Sequence, residues 1–136
     1  AQPASWNAEQ RRLDALRREL GVAESVRFLG AQPQELLPAY FAASNVVAVP
    51  SHYESFGMVA LEAMASGAAV VASNAGGLAL TVEDGRSGLL FPPDDHQALA
   101  AQIARLLEQP ALAGELRAGA QRRAAEYSWS IVARRM

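Results

Sequence analysis

The sequence predicts an α/β domain, with a parallel sheet and helices on its flanks. Three observations lead there. Short apolar runs alternate with longer stretches of helix-forming residues. The run Val46 to Val49 is apolar without a break, as in a parallel strand covered on both faces. At 136 residues, 51% hydrophobic and 19% charged, the chain is long enough for one hydrophobic core.

Ala1 to Trp6 reads as a loop entered in mid-domain. Asn7 can cap a helix, with Gln10 placed to complete a capping box. Leu13, Leu16 and Leu20 then mark one apolar stripe, and Gly21 ends the helix. Val26–Gly30 is expected to be a short strand. Pro33 opens a second helix carrying Leu36, Leu37, Tyr40 and Phe41, and Pro38 is tolerable only in its first turn. After the strand Val46–Val49, good helix formers run from Gly57 to Ala65, and Gly67 sits where a left-handed cap is wanted.

Ala69–Ser73 is the next strand, and Asn74-Ala75-Gly76-Gly77 turns into a short helix around Leu78–Val82. Gly88–Phe91 is the last strand. Pro92-Pro93 leads to Asp94, read as the cap of a helix with Gln97 at its third position. Leu99, Ile103, Leu106 and Leu107 should face the core. Pro110 breaks the chain, a helix covers Leu112–Glu126, and Ser128 caps a final helix at Trp129–Met136.

Bulk charge narrows the partners. A net charge of −2 and a pI near 5.7 argue against nucleic acid, whose phosphates favour a basic surface. All twelve basic residues are Arg, and there is no Cys for disulfide or thiol chemistry. No apolar run is long enough to span a bilayer, and no signal peptide is visible, so a cytoplasmic protein is expected. Arg117, Arg122 and Arg123 read as a solvated helix face; membrane association through them is the lesser reading and is left open. Asp94-Asp95 is not a metal motif.

The chemistry concentrates between Pro50 and Gly67. A strand running into a helix start presents free N–H groups and the positive end of the helix dipole, which suits an anion. The amides of Phe56, Gly57 and Met58 are the candidate contacts for phosphate and sugar, and a side chain at Gly57 would hold the ligand off. Glu54 lies just before the helix and Glu62 within it, about 7–8 Å along the axis from Gly57. Neither should touch phosphate, because like charges repel. Glu62 is placed to accept from ribose hydroxyls, and Glu54 from hydroxyls of whatever a diphosphate carries. A ligand with hydroxyls at both ends and an anion between them is a nucleotide sugar. The plain alternative for Glu54 is a loop carboxylate capping the following helix, and Gly76-Gly77 reads equally as a tight turn or a ligand contact. His52 reads as a bystander or a supporting residue, and Tyr127 and Trp129 as packing residues.

The run Glu54-Ser-Phe-Gly-Met-Val-Ala-Leu-Glu62-Ala-Met-Ala-Ser-Gly, then Val70-Val71-Ala72-Ser73 and Gly76-Gly77, resembles the donor-site signature of family 4 (group 1) retaining glycosyltransferases. The likeness continues through Asp84-Gly85, Ser87-Gly88-Leu89-Leu90 and Tyr127-Ser128-Trp129-Ser130. It implies the C-terminal, Rossmann-like domain of a two-domain GT-B fold, with residues 1–136 as a nucleotide-sugar (donor) domain lacking its first strands. The acceptor domain and a basic Arg…Lys pair that holds the diphosphate in such enzymes have no counterpart here. The resemblance further implies that Glu54 meets the donor sugar and steadies an oxocarbenium-like transition state, and that the backbone near Gln32 meets the nucleobase. Many relatives are acidic near Leu80, so no role is assigned there.

The expected activity is therefore retaining transfer of a sugar from a nucleoside diphosphate sugar to an acceptor hydroxyl. No metal or cofactor is expected. The chain alone is expected to be inactive, with the missing strands supplied by the rest of the same protein or by a second copy. The alternatives are a non-catalytic nucleotide-sugar-binding fragment and a GT-B-type nucleotide-sugar epimerase, for which acid/base residues are not apparent.

Overall fold

A computed structural model describes residues 5–127, and the chain divides into two compact units, 1–33 and 34–136. In the first unit, helix α1 covers Ala8–Glu19. Its capping box is complete: Gln10 N donates to Asn7 Oδ1 at 2.8 Å, and Asn7 N donates to Gln10 Oε1 at 2.9 Å.

Two expectations fail here. The Leu stripe is not the inner face of α1: Leu16 and Leu20 are exposed, while Asp14 is fully buried. Arg17 and Arg18 pair with that carboxylate at 2.6 and 3.0 Å. Nor is Val26–Gly30 a strand. Among the described residues no strand pairs with it, and a lone strand leaves its ladder unmade. Arg17 instead donates to the carbonyls of Ala23 and Val26 at 2.9 and 2.6 Å and lies over the ring of Phe28. Trp6 packs edge-on against Phe28.

The second unit opens with a 3-10 turn, Gln34–Leu36, and then runs α2 (Leu37–Ala43), β1 (Val47–Val49), α3 (Met58–Ala65), β2 (Val70–Ser73), α4 (Leu78–Thr81), β3 (Leu89–Phe91), α5 (His96–Glu108) and α6 (Pro110–Ala125). Pro38 does fall in the first turn of α2. The three strands are parallel in the order β1-β2-β3, with Val47 beside Val70 and Val71 beside Leu89.

Every residue of β2 is buried, and its side chains alternate between two cores. Val70 and Ala72 join Val49, Ala60, Met64, Leu78 and Val82 on the face covered by α3 and α4. Val71 joins Leu89, Phe91, Leu106 and Leu116 on the other, beneath α5 and α6. Strand β1 lies at the edge and Ala48 is exposed, so it is not covered on both faces as its composition suggests.

Two details of α5 also differ from expectation. Asp95, not Asp94, is its cap, accepting from Ala98 N at 2.8 Å. Leu107 points outward at 54% exposure, while Leu106 enters the core. The expected helix at Trp129–Met136, its Ser128 cap and the packing of Trp129 lie outside the described residues. Among the described residues no helix is long and apolar enough to cross a membrane.

Candidate functional site

Strand β1 delivers the chain to the loop Pro50–Phe56, which runs into α3 through Gly57. Gly57 is the helix cap and stands at φ +83°, a left-handed conformation that favours glycine. A Cβ there would also meet Leu78 Cδ2 at 3.1 Å. The turn directs the Phe56 and Gly57 amides toward one point, the Oε1 atom of Glu54. The distances are 3.4 Å from Phe56 N and 3.2 Å from Gly57 N. The start of α3 therefore holds an anion already, the chain's own carboxylate, through long and weak bonds.

Neutral bonds from the β2 side fix the loop backbone. Ser73 Oγ donates to the Ser51 carbonyl at 2.5 Å, Gly77 N to the Glu54 carbonyl at 2.7 Å, and Thr81 Oγ1 to the Phe56 carbonyl at 2.6 Å. Both donor side chains are buried. The glycine pair makes the approach possible. A Cβ on Gly76 would stand 2.3 Å from the Glu54 carbonyl oxygen, and one on Gly77 would stand 2.4 Å from that of Ser55. The tight-turn reading of Gly76-Gly77 is thus correct in form, and what the turn accommodates is the Glu54 loop.

A further support comes from α6. Arg123, only 20% exposed, donates to the Leu80 and Thr81 carbonyls at 2.7 and 3.3 Å, closing the end of α4. It also bonds Tyr127 Oη at 2.8 Å and Glu126 at 2.5 Å. Burial alone would lower its pKa, but the bond to Glu126 and the charges of Tyr127, Glu83 and Glu126 outweigh that and raise it above its ordinary value. Arg123 is therefore not part of a solvated face, as its spacing suggested. Tyr127 packs edge-on against Phe56, with ring centroids 5.6 Å apart.

Glu62 lies one turn into α3 and is partly buried. It lines a groove of about 230 Å³ with Gln34, Leu37, Pro38, Phe41, Ala65 and Ser66; Glu54 does not line it. A larger groove, about 590 Å³, lies between the turn at Glu83–Arg86 and α6, and no predicted site residue lines it. Gln32 belongs to the first unit, where its side-chain amide donates to the Leu29 carbonyl at 2.7 Å. The structure thus gathers Glu54, Phe56, Gly57 and Met58 at one helix start and places Glu62 on the same helix. Among the described residues no group of three or more His, Asp or Glu side chains could hold a metal ion.

Four supporting residues escaped the sequence reading: Ser73, Thr81, Arg123 and Asp94, whose carboxylate meets His52 Nδ1 at 2.8 Å. Only the first two carried any signal, as polar residues at the ends of apolar segments.

Comparison with known proteins gives a consistent picture. The profile of the family described as "Glycosyl transferases group 1" matches residues 7–126. The D-inositol 3-phosphate glycosyltransferase of Frankia alni is 48% identical over 116 residues, 85% of this chain and 28% of that protein. Among solved structures, sucrose-phosphate synthase from Thermosynechococcus elongatus matches with a TM-score of 0.89 and 43% identity, over 100% of this chain and 35% of its own. Anabaena HepE in complex with UDP matches with a TM-score of 0.82 and 35% identity, over 86% of this chain and 32% of its own. The chain spans about 28% of the length of curated relatives such as the Frankia protein.

Proposed function

The chain belongs to the group 1 glycosyl transferases, and from that premise we propose that its second unit grips the diphosphate of a nucleoside diphosphate sugar at the start of α3. One observation carries this: two backbone amides converge on a single carboxylate oxygen at that helix start. A pair of donors that holds a carboxylate oxygen at 3.2 and 3.4 Å can hold a non-bridging oxygen of a diphosphate in the same way, and the diphosphate brings two negative charges to the positive end of the helix dipole.

The occupied state suggests an exchange. A diphosphate arriving at Phe56 N and Gly57 N displaces the Glu54 carboxylate, which like-charge repulsion then turns away from the phosphates. Released, Glu54 accepts from hydroxyls of the donor sugar. Glu62, one turn along α3 in its groove, accepts from the ribose. The Gln32 backbone is proposed for the nucleobase on resemblance alone.

Chemistry would follow from placement and charge. As the bond between sugar and phosphate breaks, negative charge grows on the departing diphosphate, and fixed amides at a helix start stabilise it without reorganising. Attack by the acceptor hydroxyl from the same face, with the leaving phosphate taking its proton, retains configuration and requires no enzymic nucleophile. No metal enters this scheme. The acceptor would be held by parts of a longer polypeptide, so the chain alone would bind donor without turning it over. The setting proposed is the cytoplasm.

Calorimetric titration of the chain with UDP, GDP, ADP and UDP-glucose tests the proposal. Saturable binding of one diphosphate is expected, strengthened by its sugar. No heat from any of them sinks it.

A further inference from the structure

The Glu54 loop is tied down at four points. Three are the neutral bonds from Ser73, Gly77 and Thr81, all contributed by β2, its turn and α4. The fourth differs in kind. His52 Nδ1 lies 2.8 Å from Asp94 Oδ1, and both side chains are exposed, at 80% and 68%. Asp94 follows β3, and the strand order is β1-β2-β3, so this contact reaches from the loop after β1 over the end of β2 to the turn after β3. It joins the loops at the carboxyl ends of the strands, where open parallel sheets receive ligands.

Asp94 is the third residue of the turn Pro92–Asp95, in which Asp95 N donates to the Pro92 carbonyl at 3.2 Å, and the turn presents its side chain toward the loop after β1. Asp95 caps α5. Asp94 is also the only non-glycine at positive φ among the described residues, at +64°. A left-handed aspartate costs little, but it is uncommon, and here it accompanies a carboxylate directed at the imidazole.

We infer that His52 and Asp94 are positioning residues, a strap across β2 that holds the Glu54 loop in the register from which Glu54 meets a donor sugar. The strap itself stands on the geometry above; its consequence for the sugar rests on the donor reading. Imidazole Nδ1–H donates to the carboxylate, which fixes His52 and through it the backbone beside Tyr53 and Glu54. The three neutral bonds hold loop carbonyls, whereas this one restrains a loop side chain from the opposite side of β2. The contact is exposed and therefore modest in strength; it adds to the three neutral bonds and keeps the loop backbone in place while the Glu54 side chain turns from the amides to the sugar.

The test uses the full chain and two readouts. Hydrogen exchange at the Gly77 amide reports opening of its bond to Glu54 without any ligand. His52→Ala, Asp94→Gly (which accepts the positive φ) and the double variant should each speed that exchange about threefold to fivefold, and to the same extent, because one contact is lost in all three. His52→Asn, which keeps a donor near the Nδ1 position, should restore the wild-type rate. Thermal melting verifies that each variant folds. Unchanged exchange at Gly77, or effects of the two single variants that add in the double, overturns the strap. Titration with UDP and UDP-glucose supplies the second readout: the variants should lose part of the preference for UDP-glucose and keep UDP affinity. If the wild-type chain takes up neither nucleotide, the donor reading falls and the exchange rates still decide the strap.

Discussion

The amide of Gly77 donates to the carbonyl oxygen of Glu54 at 2.7 Å. That bond ties the turn after β2 to the loop carrying the candidate acid, and it forms only because Gly76 and Gly77 have no side chains. The two glycines act on the site through shape, bringing the Glu54 loop against the start of α4.

Gly76→Ala or Gly77→Ala is therefore expected to push the loop outward. The added Cβ would sit 2.3 or 2.4 Å from a backbone oxygen, far inside contact distance. Overpacking of this kind costs roughly 1–3 kcal/mol, and urea denaturation should register it. Nucleotide affinity should fall with it, by roughly tenfold or more, since the amide pair moves with the loop. Full stability and affinity in either variant would show that the loop relaxes freely.

Glu54 should separate two roles when substituted. As an acceptor for Phe56 N and Gly57 N it contributes to stability, but both bonds are long, so Glu54→Ala is expected to cost no more than about 1 kcal/mol. The same change vacates the amides, so UDP affinity should hold or rise while the gain from the attached sugar disappears. Titrating UDP and UDP-glucose side by side checks this. A variant that loses both equally would make Glu54 a purely structural cap.

How much of this was legible depended on the range of the interaction. The Asn7–Gln10 box, Pro38 in the first turn of α2 and the left-handed Gly67 are local, and the sequence announces each of them; the left-handed Gly57, read only as room for a ligand, it does not. Val26–Gly30 has strand composition, yet a strand needs a partner, and composition cannot supply one. The one-residue slip from Asp95 to Asp94 reflects two adjacent residues equally able to cap. Arg123 looked solvated because helical spacing shows its neighbours on α6; the α4 carbonyls it bonds are 42 and 43 residues away. The gathering of Glu54, Phe56 and Gly57 at one helix start was readable. The occupation of those amides by Glu54 itself was readable only as one of two options.

Glu62 should behave differently from Glu54. It is partly buried beside the groove lined by Leu37 and Phe41, and its carbonyl, bonded by Ser66 Oγ at 2.8 Å, is left intact by side-chain truncation. Glu62→Ala is expected to leave stability within about 0.5 kcal/mol and to weaken UDP roughly tenfold through loss of the ribose contact. Uridine diphosphate carrying a 2′,3′-dideoxyribose should bind wild type and variant alike. A variant that still distinguishes the two nucleotides would remove Glu62 from the ribose.

Arg123 tests whether support at a distance reaches the site. Its guanidinium closes the carbonyl end of α4, and Thr81, at that end, holds the Phe56 carbonyl. Removing it leaves the Leu80 and Thr81 carbonyls without that donor, so Arg123→Ala is expected to cost roughly 1–3 kcal/mol. Arg123→Lys should recover only part of this, because a single ammonium cannot reproduce the planar fork that reaches both carbonyls and Tyr127 Oη. The sign of the pH dependence follows from the raised pKa. A base held above its unfolded value stabilises fully below that value and loses the contribution only as pH rises through the folded one. For an arginine this loss lies in strongly alkaline solution, so the gap in unfolding free energy between wild type and Arg123→Ala should stay flat across neutral pH. A gap that varied between mildly acidic and mildly basic buffers would assign the stabilisation to another titrating group. If the variant folds, its UDP affinity should fall along with its stability, since α4, Thr81 and the Phe56 carbonyl, whose peptide carries the Gly57 amide, form one connected support.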